Sequence, residues 1–104
     1  MNFRGGLPTL ILQNLSGGPN HGYRIAQEIK QKSKGVLDYK EGTLYPALHE
    51  LEGKGYIASQ TRVENGRTRC YYELTEKGKK ALVKDRQDWL AVSGAFNLIL
   101  EGAT

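Results

Sequence analysis

The Asn65–Gly66 pair is the sequence feature that most constrains how this chain folds. It separates two runs with extended character, Ile57–Glu64 and Arg67–Leu74. Asn-Gly between such runs indicates a tight β-hairpin, because both turn residues must accept positive φ. Alternation along the second run then predicts two faces. Cys70, Tyr72 and Leu74 are expected on the apolar face, and Arg67, Arg69 and Tyr71 on the other.

Two short helices are predicted at the start of the chain. Apolar residues recur at helical spacing from Leu7 to Leu15, and the Ser-Gly-Gly-Pro segment at residues 16–19 ends this first helix. Asn20 is predicted as the N-cap of the second helix, which ends near Lys34 and Gly35.

A third helix is predicted to begin around Gly42–Thr43 and to end near Gly53. Pro46 is expected in its first turn or so, because a proline deeper inside would break the hydrogen-bond ladder. The predicted buried face consists of Leu44, Leu48 and Leu51. The predicted exposed edge consists of Gly42, Thr43, Pro46, His49 and Glu50, with Tyr45 on its flank.

A fourth helix is predicted from a Thr75 cap to about Leu100. Apolar residues recur along it at seven-residue spacing, which resembles an a/d seam. An apolar stripe on the last helix of a small domain is expected to be buried against another surface. A second copy of the chain, related by a two-fold axis, would supply that surface. The alternative is that the helix folds back onto its own domain. The predicted dimer stripe consists of Leu82, Trp89, Val92, Phe96 and Ile99.

Three helices, a hairpin and a long helix predict a mainly α fold with a small antiparallel β-hairpin. This order is that of a winged helix-turn-helix, in which the hairpin forms the wing. Residues 1–75 are expected to form the winged domain and residues 76–104 the dimerisation helix.

Positive charge is concentrated in the predicted winged domain. The net charge is +4, and residues 1–80 hold 13 of the 15 Lys and Arg but 8 of the 11 Asp and Glu. Such a balance suits a polyanion. The three arginines around the hairpin turn can run beside a phosphate backbone or enter a minor groove. The alternative is a solvated hairpin whose arginines only add solubility. These arginines are Arg62, Arg67 and Arg69.

The exposed start of the third helix corresponds to the part of a recognition helix that meets base edges. Thr43 and Tyr45 can donate hydrogen bonds to phosphates or bases. By itself this edge also fits an ordinary surface helix. A basic hairpin directly after a three-helix unit favours the interpretation as a DNA-binding domain.

Catalytic, metal and membrane interpretations find no support in the residue pattern. His21 and His49 fall on different predicted helices, and no Cys/His set has zinc spacing. Cys70 is the single cysteine, and its strand position predicts a buried structural thiol. No run of about 18 apolar residues occurs, and the first residues lack the plan of a signal peptide. We therefore expect a cytoplasmic protein without metal, cofactor or enzymatic activity.

The sequence resembles the PadR family of bacterial regulators over roughly residues 7–100. The Gly42–Leu48 segment is quite specific, and the single C-terminal helix resembles the family's short subgroup. One departure lies at the wing, where Gly66–Cys70 carries one basic residue fewer than the family often has. The matching segments are His21–Ile25, Gly42–Leu48, Leu51–Ile57 and Gly66–Gly78.

This resemblance implies a homodimer that binds double-stranded DNA at an inverted-repeat operator, usually as a repressor relieved by a small molecule. The hydrophobic or aromatic effectors of some short members stack on a tryptophan that corresponds to Trp89. The implied DNA-contacting residues are Tyr23, Lys40, Thr43, Tyr45, Pro46, Asn65, Arg67 and Arg69. Along the same predicted helix, Val92 and Phe96 would extend the apolar lining beside Trp89 and Ser93 could supply a polar contact, so the predicted effector site consists of Trp89, Val92, Ser93 and Phe96.

Three alternatives stay open at the level of sequence. Trp89 can be packing within a dimer rather than a ligand wall. The fold can serve as a protein-interaction adaptor that does not bind DNA. The dimer can also be a small enzyme or ligand-storage protein. Arginines at the wing and its approach argue against an adaptor, and the lack of an acid/base pair or nucleophile arrangement argues against an enzyme.

Overall fold

A computed structural model describes residues 6–102 of the chain. Within these residues the structure contains every predicted helix and strand, together with one further short strand. The elements are α1 (Gly6–Leu15), β1 (Asn20–His21), α2 (Gly22–Lys32), α3 (Glu41–Gly53), β2 (Ile57–Glu64), β3 (Arg67–Leu74) and α4 (Glu76–Leu100). The mainly α winged-helix architecture with a long last helix is therefore confirmed.

The hairpin has the predicted bounds and the predicted turn. Glu64 lies opposite Arg67 in the antiparallel β2–β3 pair, so Asn65 and Gly66 form a two-residue connection. Their φ angles are 51° and 77°. Both values are positive, as a type I′ turn requires, and this turn twists in the same sense as the flanking strands. The local turn therefore sets the register of the whole wing.

The short strand β1 is the part of the sheet that the sequence pattern does not predict. Asn20 and His21 pair with Tyr72 and Tyr71 of β3, which gives the strand order β1-β3-β2. Tyr71 lies on the face of the arginines, as predicted, because the Arg62 guanidinium packs over its ring. It is nevertheless only 7% exposed, because β1 runs beside this end of β3 and the His21 ring packs against the Tyr71 ring.

Asn20 does not cap α2, contrary to the expectation from sequence. Its buried amide donates to Asn14 Oδ1 at 3.0 Å and to Glu28 Oε1 at 3.1 Å. Its own side-chain oxygen accepts from the His21 N–H. The N-cap is His21, whose Nδ1 accepts from the Arg24 N–H at 3.3 Å. Asn20 thus links α1 to α2 inside the domain, and the capping role passes to the next residue.

The apolar core lies between the first three helices, the base of the hairpin and the start of α4. The three leucines predicted to face inward from α3 are all buried. Burying side chains of this size contributes about 1.5–3 kcal/mol each. The core side chains are Leu7, Ile11, Leu12, Leu15, Ile25, Ile29, Leu44, Leu48, Leu51, Ile57, Tyr72 and Leu82.

Pro46 lies at the start of the second turn of α3, close to the expected position in the first turn or so. The helix begins at Glu41, so Pro46 follows five helical residues. A proline nitrogen cannot donate to the carbonyl four residues earlier, which here belongs to Gly42. Gly42 is exposed, so its carbonyl is open to water, and the helix continues past the proline.

α4 is attached to the domain at its start. Thr75 caps the helix as predicted, with its hydroxyl oxygen accepting from the Gly78 N–H at 3.0 Å. The Thr9 hydroxyl of α1 donates to Asp85 at 3.3 Å. Leu82, which the seven-residue spacing assigns to the dimer stripe, is 6% exposed and belongs to the core of its own chain. The first part of α4, through Asp85, therefore packs on the domain, and Leu82 is withdrawn from the proposed dimer surface.

The second half of α4 carries a large apolar surface. The helix has 25 residues and is therefore about 37 Å long, against a longest molecular dimension of 59 Å. Among residues 6–102, no helix combines the length and apolar character needed to cross a membrane. The exposed large apolar side chains in this half are Trp89, Leu90, Phe96, Leu98, Ile99 and Leu100.

Candidate nucleic-acid interface

The N-terminal half of α3 presents an exposed edge. Lys40 occupies the N-cap position, where its ammonium group makes no capping hydrogen bond because it can only donate. Thr43 in the first turn and Pro46 in the second are both exposed, as predicted. A helix N-terminus offers free N–H groups and the positive end of the helix dipole, a combination that suits an anion.

A groove between α2 and α3 brings together three of the predicted DNA-contacting residues, Tyr23, Lys40 and Tyr45. The predicted Thr43 and Pro46 lie on the same helix but do not line this groove. The Tyr23 side chain is exposed, and its hydroxyl accepts from Gln27 at 3.2 Å. The groove therefore joins one exposed edge of α2 to the start of α3.

Two lysines that the sequence assignment omits, Lys30 and Lys34, also line the groove. Asp38 lies between lysines, with its carboxylate 3.6 Å from Lys30 Nζ and 3.1 Å from Lys40 Nζ. The hydrogen bond from Lys40 holds the pKa of Asp38 below its usual value. The lysines at alternate positions 30, 32 and 34 are the sequence pattern that indicates positive charge beside this groove.

Tyr45 connects the recognition helix to the start of α2. Its side chain is half-buried and packs against the core. A Cβ atom added to Gly22 would lie 2.8 Å from the Tyr45 hydroxyl oxygen, so the ring end rests on the Gly22 backbone. Tyr45 therefore sets the angle between α2 and α3, and its contact with DNA stays a prediction.

The wing places two arginines directly opposite each other. Arg62 of β2 pairs with Arg69 of β3, and Arg67 lies beside the turn opposite Glu64. The Arg62 guanidinium carbon lies 4.4 Å from the centre of the Tyr71 ring, a cation–π distance. The Tyr71 hydroxyl donates to Glu64, and this hydrogen bond raises the pKa of Tyr71.

Like charges at facing positions of a sheet destabilise it by roughly 0.2–1 kcal/mol. The hairpin keeps Arg62 opposite Arg69 despite this penalty, and an anion between the two guanidinium groups would relieve it. The turn residue Asn65 and the neighbouring Arg67 are both exposed at the tip. The wing therefore presents a cationic edge suited to a polyanion.

His21 lies where the base of the wing meets α2. Its ring packs edge-on to Tyr71 with the ring centres 5.4 Å apart. Its Nδ1 accepts the capping hydrogen bond from Arg24, which requires an unprotonated Nδ1. Burial, and then the positive charge of Arg69, lower the pKa of His21. His21 therefore caps α2 in its neutral form in the folded chain.

Cys70 is exposed, so the expectation of a buried structural thiol is wrong. It shares a strand face with the buried Tyr72, but the hairpin at this point has passed the edge of the core. Residues 6–102 contain no group of three or more His, Cys, Asp or Glu side chains arranged to hold a metal ion.

The predicted dimer and effector residues lie on the second half of α4. Val92 and Ser93 are half-buried, whereas Phe96 is 61% and Ile99 78% exposed. Trp89 is 50% exposed. It borders a cleft of about 250 Å³ within its own chain, lined also by Gly6, Thr9, Leu10, Leu37 and Tyr39. The indole is thus shared between the domain and the outer surface of the helix.

Comparison with known families gives a match to the model of the transcriptional regulator PadR-like family over residues 11–84. The matched segment runs from α1 to the first turns of α4 and includes both the recognition helix and the wing. The chain belongs to the PadR-like family of transcriptional regulators.

Relatives of this PadR-like chain agree in sequence and fold. Transcriptional regulator Rv3488 of Mycobacterium tuberculosis is 39% identical over 77 residues, which cover 74% of this chain and 69% of that protein. A transcriptional regulator from Clostridium thermocellum has a TM-score of 0.84 at 35% identity, covering 91% of this chain and 93% of that one. Bacillus subtilis PadR in complex with operator DNA has a TM-score of 0.70 at 30% identity, covering 86% of this chain and 48% of that one.

The His21 cap makes the stability of this PadR-like domain depend on pH. The pKa of His21 in the folded chain lies below its usual value of 6.5, so the unfolded chain binds more protons in the window below that value. We expect the free energy of unfolding to be retained above about pH 6.5 and to fall as the pH drops below it. Urea denaturation followed by circular dichroism at several pH values measures this dependence.

His21→Asn is the matched control, because asparagine can also accept the capping hydrogen bond but does not titrate. His49 is present in both proteins, so the difference between their pH profiles isolates residue 21. Identical slopes below pH 6.5 for the two proteins would contradict a neutral His21 in the folded chain.

Proposed function

We propose that this PadR-like regulator is a sequence-specific repressor that binds double-stranded DNA as a homodimer. The observation that carries the proposal is the Arg62–Arg69 pair, two cationic residues at directly opposite positions of the wing. A phosphate backbone is the polyanion that would relieve their repulsion. The operator complex of Bacillus subtilis PadR, which shares this fold at 30% identity, supports a DNA partner.

In the proposed complex the start of α3 enters the major groove. Thr43, Pro46 and the ring edge of Tyr45 face the bases there, because the N-terminal turns of a recognition helix reach base edges. Lys40 and Tyr23 contact flanking phosphates from the α2–α3 groove. The wing residues Asn65, Arg67 and Arg69 follow the neighbouring backbone or minor groove.

Residues 1–75 then form the DNA-binding part and residues 76–104 the dimerisation helix. The apolar surface of the second half of α4 supports the dimer, because single large patches of this kind mark association sites. We assign Trp89, Val92, Phe96 and Ile99 to the interface. A two-fold axis through this helix pairs two recognition helices, and the matching operator is an inverted repeat.

We also propose that a planar hydrophobic effector relieves repression at the Trp89 region. The half-exposed indole adjoins a cleft lined by Leu10, Leu37 and Tyr39, and Val92, Ser93 and Phe96 follow on the same helix. Aromatic stacking is worth about 0.5–1.5 kcal/mol beyond area burial. A guest that changes how the two α4 helices meet also changes the spacing of the recognition helices.

The adaptor and enzyme alternatives have less support. An adaptor surface gives no reason to retain facing arginines on an exposed hairpin. The family and the solved relatives are transcriptional regulators, which speaks against a catalytic role for the dimer.

The first test concerns the wing. Arg67→Ala combined with Arg69→Ala is expected to weaken binding to specific and random DNA alike. Each lost phosphate contact lowers the slope of log K against log salt by about 0.9. Fluorescence anisotropy titrations across a series of salt concentrations measure both quantities.

Lys79→Ala combined with Lys80→Ala is the charge-matched control, since these lysines lie at the start of α4 and not on the hairpin. The control removes the same net charge and should leave the salt slope unchanged. A wing variant whose slope equals that of the wild type would show that the arginines do not contact phosphates.

The second test concerns assembly. The wild-type chain is expected to sediment as a dimer at micromolar concentration. Val92→Asp or Phe96→Asp should give folded monomers or insoluble protein, because each would bury an unpaired charge in the interface. Asn97→Asp adds a charge one residue away from the stripe and should remain dimeric. A wild-type protein that stays monomeric at high concentration would contradict both the two-fold dimer and the predicted inverted-repeat operator.

The third test uses Trp89 as its own reporter, because it is the only tryptophan in the chain. Planar hydrophobic compounds are expected to quench its fluorescence saturably and to lower operator affinity through linkage. If a panel of such compounds changes neither signal, and Trp89→Leu retains the dimer and its regulation, Trp89 serves packing alone.

A further inference from the structure

The turn after α3 is fastened to the start of α4 through hydrogen bonds. The Thr75 N–H donates to the Tyr56 carbonyl at 3.1 Å, and the Thr75 hydroxyl donates to the Gly55 carbonyl at 2.6 Å. The Lys77 amine donates to the Lys54 carbonyl at 2.8 Å. Three successive carbonyls that follow the recognition helix are therefore held by two residues at the start of the dimerisation helix.

Steric contact further restricts the movement of the two backbones at this junction. A Cβ atom added to Gly78 would lie 2.0 Å from the Tyr56 carbonyl oxygen, a distance that no side chain can occupy. Gly55 has a φ of 79°, which a residue with a side chain rarely adopts. Gly78 lets the two backbones touch directly, and Gly55 lets the turn adopt its positive φ, so the orientation of α4 and the position of the turn are coupled.

Lys77 contributes to this junction through its side chain, which can be altered without changing the contact between the two backbones. Its amine lies 5.2 Å from the centre of the Tyr56 ring. Lys54, whose carbonyl it binds, is the C-cap of α3. A cation at the C-terminal end of a helix is favourable because that end carries partial negative charge. Lys77 thus connects α4 to the negative end of the recognition helix.

We propose that Lys77 is a positioning residue for operator recognition, which transmits the orientation of α4 to α3 without contacting DNA. The proposal rests on the DNA-binding dimer proposed above. In that dimer the two α4 helices pack on each other and hold one relative orientation. Each α3 is held to the α4 of its own chain by the junction described above. The junction then sets the distance between the recognition helices, which must match half-sites about 34 Å apart.

The test compares Lys77→Met with the wild type on an operator selected by the wild-type protein from a random DNA pool. Methionine keeps the apolar stem but removes the ammonium group. We expect at least about a fivefold loss of affinity for the full operator, with unchanged affinity for an isolated half-site. The wild type should discriminate against operators whose half-sites are moved by one base pair, and the variant should discriminate less.

Two further variants separate positioning from other roles. Lys77→Arg restores a cationic donor and should restore both affinity and spacing discrimination. Lys80→Met removes a nearby exposed lysine of α4 and should behave as the wild type. If Lys77→Met does not fold, as judged by its thermal unfolding, Tyr56→Leu removes the ring beneath the ammonium group and is measured in the same way.

Three results would overturn the proposal. One is wild-type affinity and spacing discrimination in Lys77→Met, or in Tyr56→Leu where that variant takes its place. Another is a shallower salt slope in Lys77→Met, which would place Lys77 on a phosphate. The last is a wild-type protein that is monomeric or does not bind DNA, and this result would identify the proposed function itself as the point of failure.

Discussion

The close contact of Gly78 with the Tyr56 carbonyl is the constraint on which the arrangement of this molecule depends. At this point the turn after the recognition helix, the base of β2 and the start of α4 share one small volume. Because residue 78 has no side chain, the Thr75 N–H can reach the Tyr56 carbonyl and α4 can begin directly from the end of β3. Leu82 then reaches the core one turn later, which fixes the direction of the long helix.

The wing extends from the same base, but different interactions determine its inner and outer parts. Near the core, Tyr71 is covered by His21 and by the Arg62 guanidinium, so this part of the hairpin is held by packing. Towards the turn, the side chains face solvent and charge dominates. The hydrogen bond from Tyr71 to Glu64 joins the two regions. The hairpin can therefore hold cations at fixed positions beyond the edge of the domain.

Sequence alone predicts the elements whose signals are local. Asn65–Gly66 defines its own turn, Thr75 defines the start of α4, and the leucine spacing defines the buried face of α3. The failures concern positions that depend on a distant partner. β1 exists only because β3 offers it two backbone pairing positions, and so the burial of Tyr71 and the displaced cap at His21 have no local signature.

The predicted functional residues divide in the same way. The exposure of Thr43 and Pro46 follows from helix periodicity, since they lie opposite the buried leucines. The packing of Tyr45 on Gly22 requires the angle between two helices, which no spacing along one helix reveals. Leu82 fits the seven-residue spacing perfectly well, yet the fold places it against α1, because a periodic stripe does not distinguish a neighbouring helix from a second chain.

In the exposed outer part of the hairpin, the surface of the wing can change independently of the stability of the fold. Thr61, Val63, Thr68 and Cys70 are exposed and lie outside the core. Substitutions at such surface positions usually change stability by less than about 0.5 kcal/mol. Mutation can therefore adjust the charge and shape of the wing while the domain keeps its fold. A lineage that carries this architecture can therefore vary the surface of its hairpin long before its core has to change.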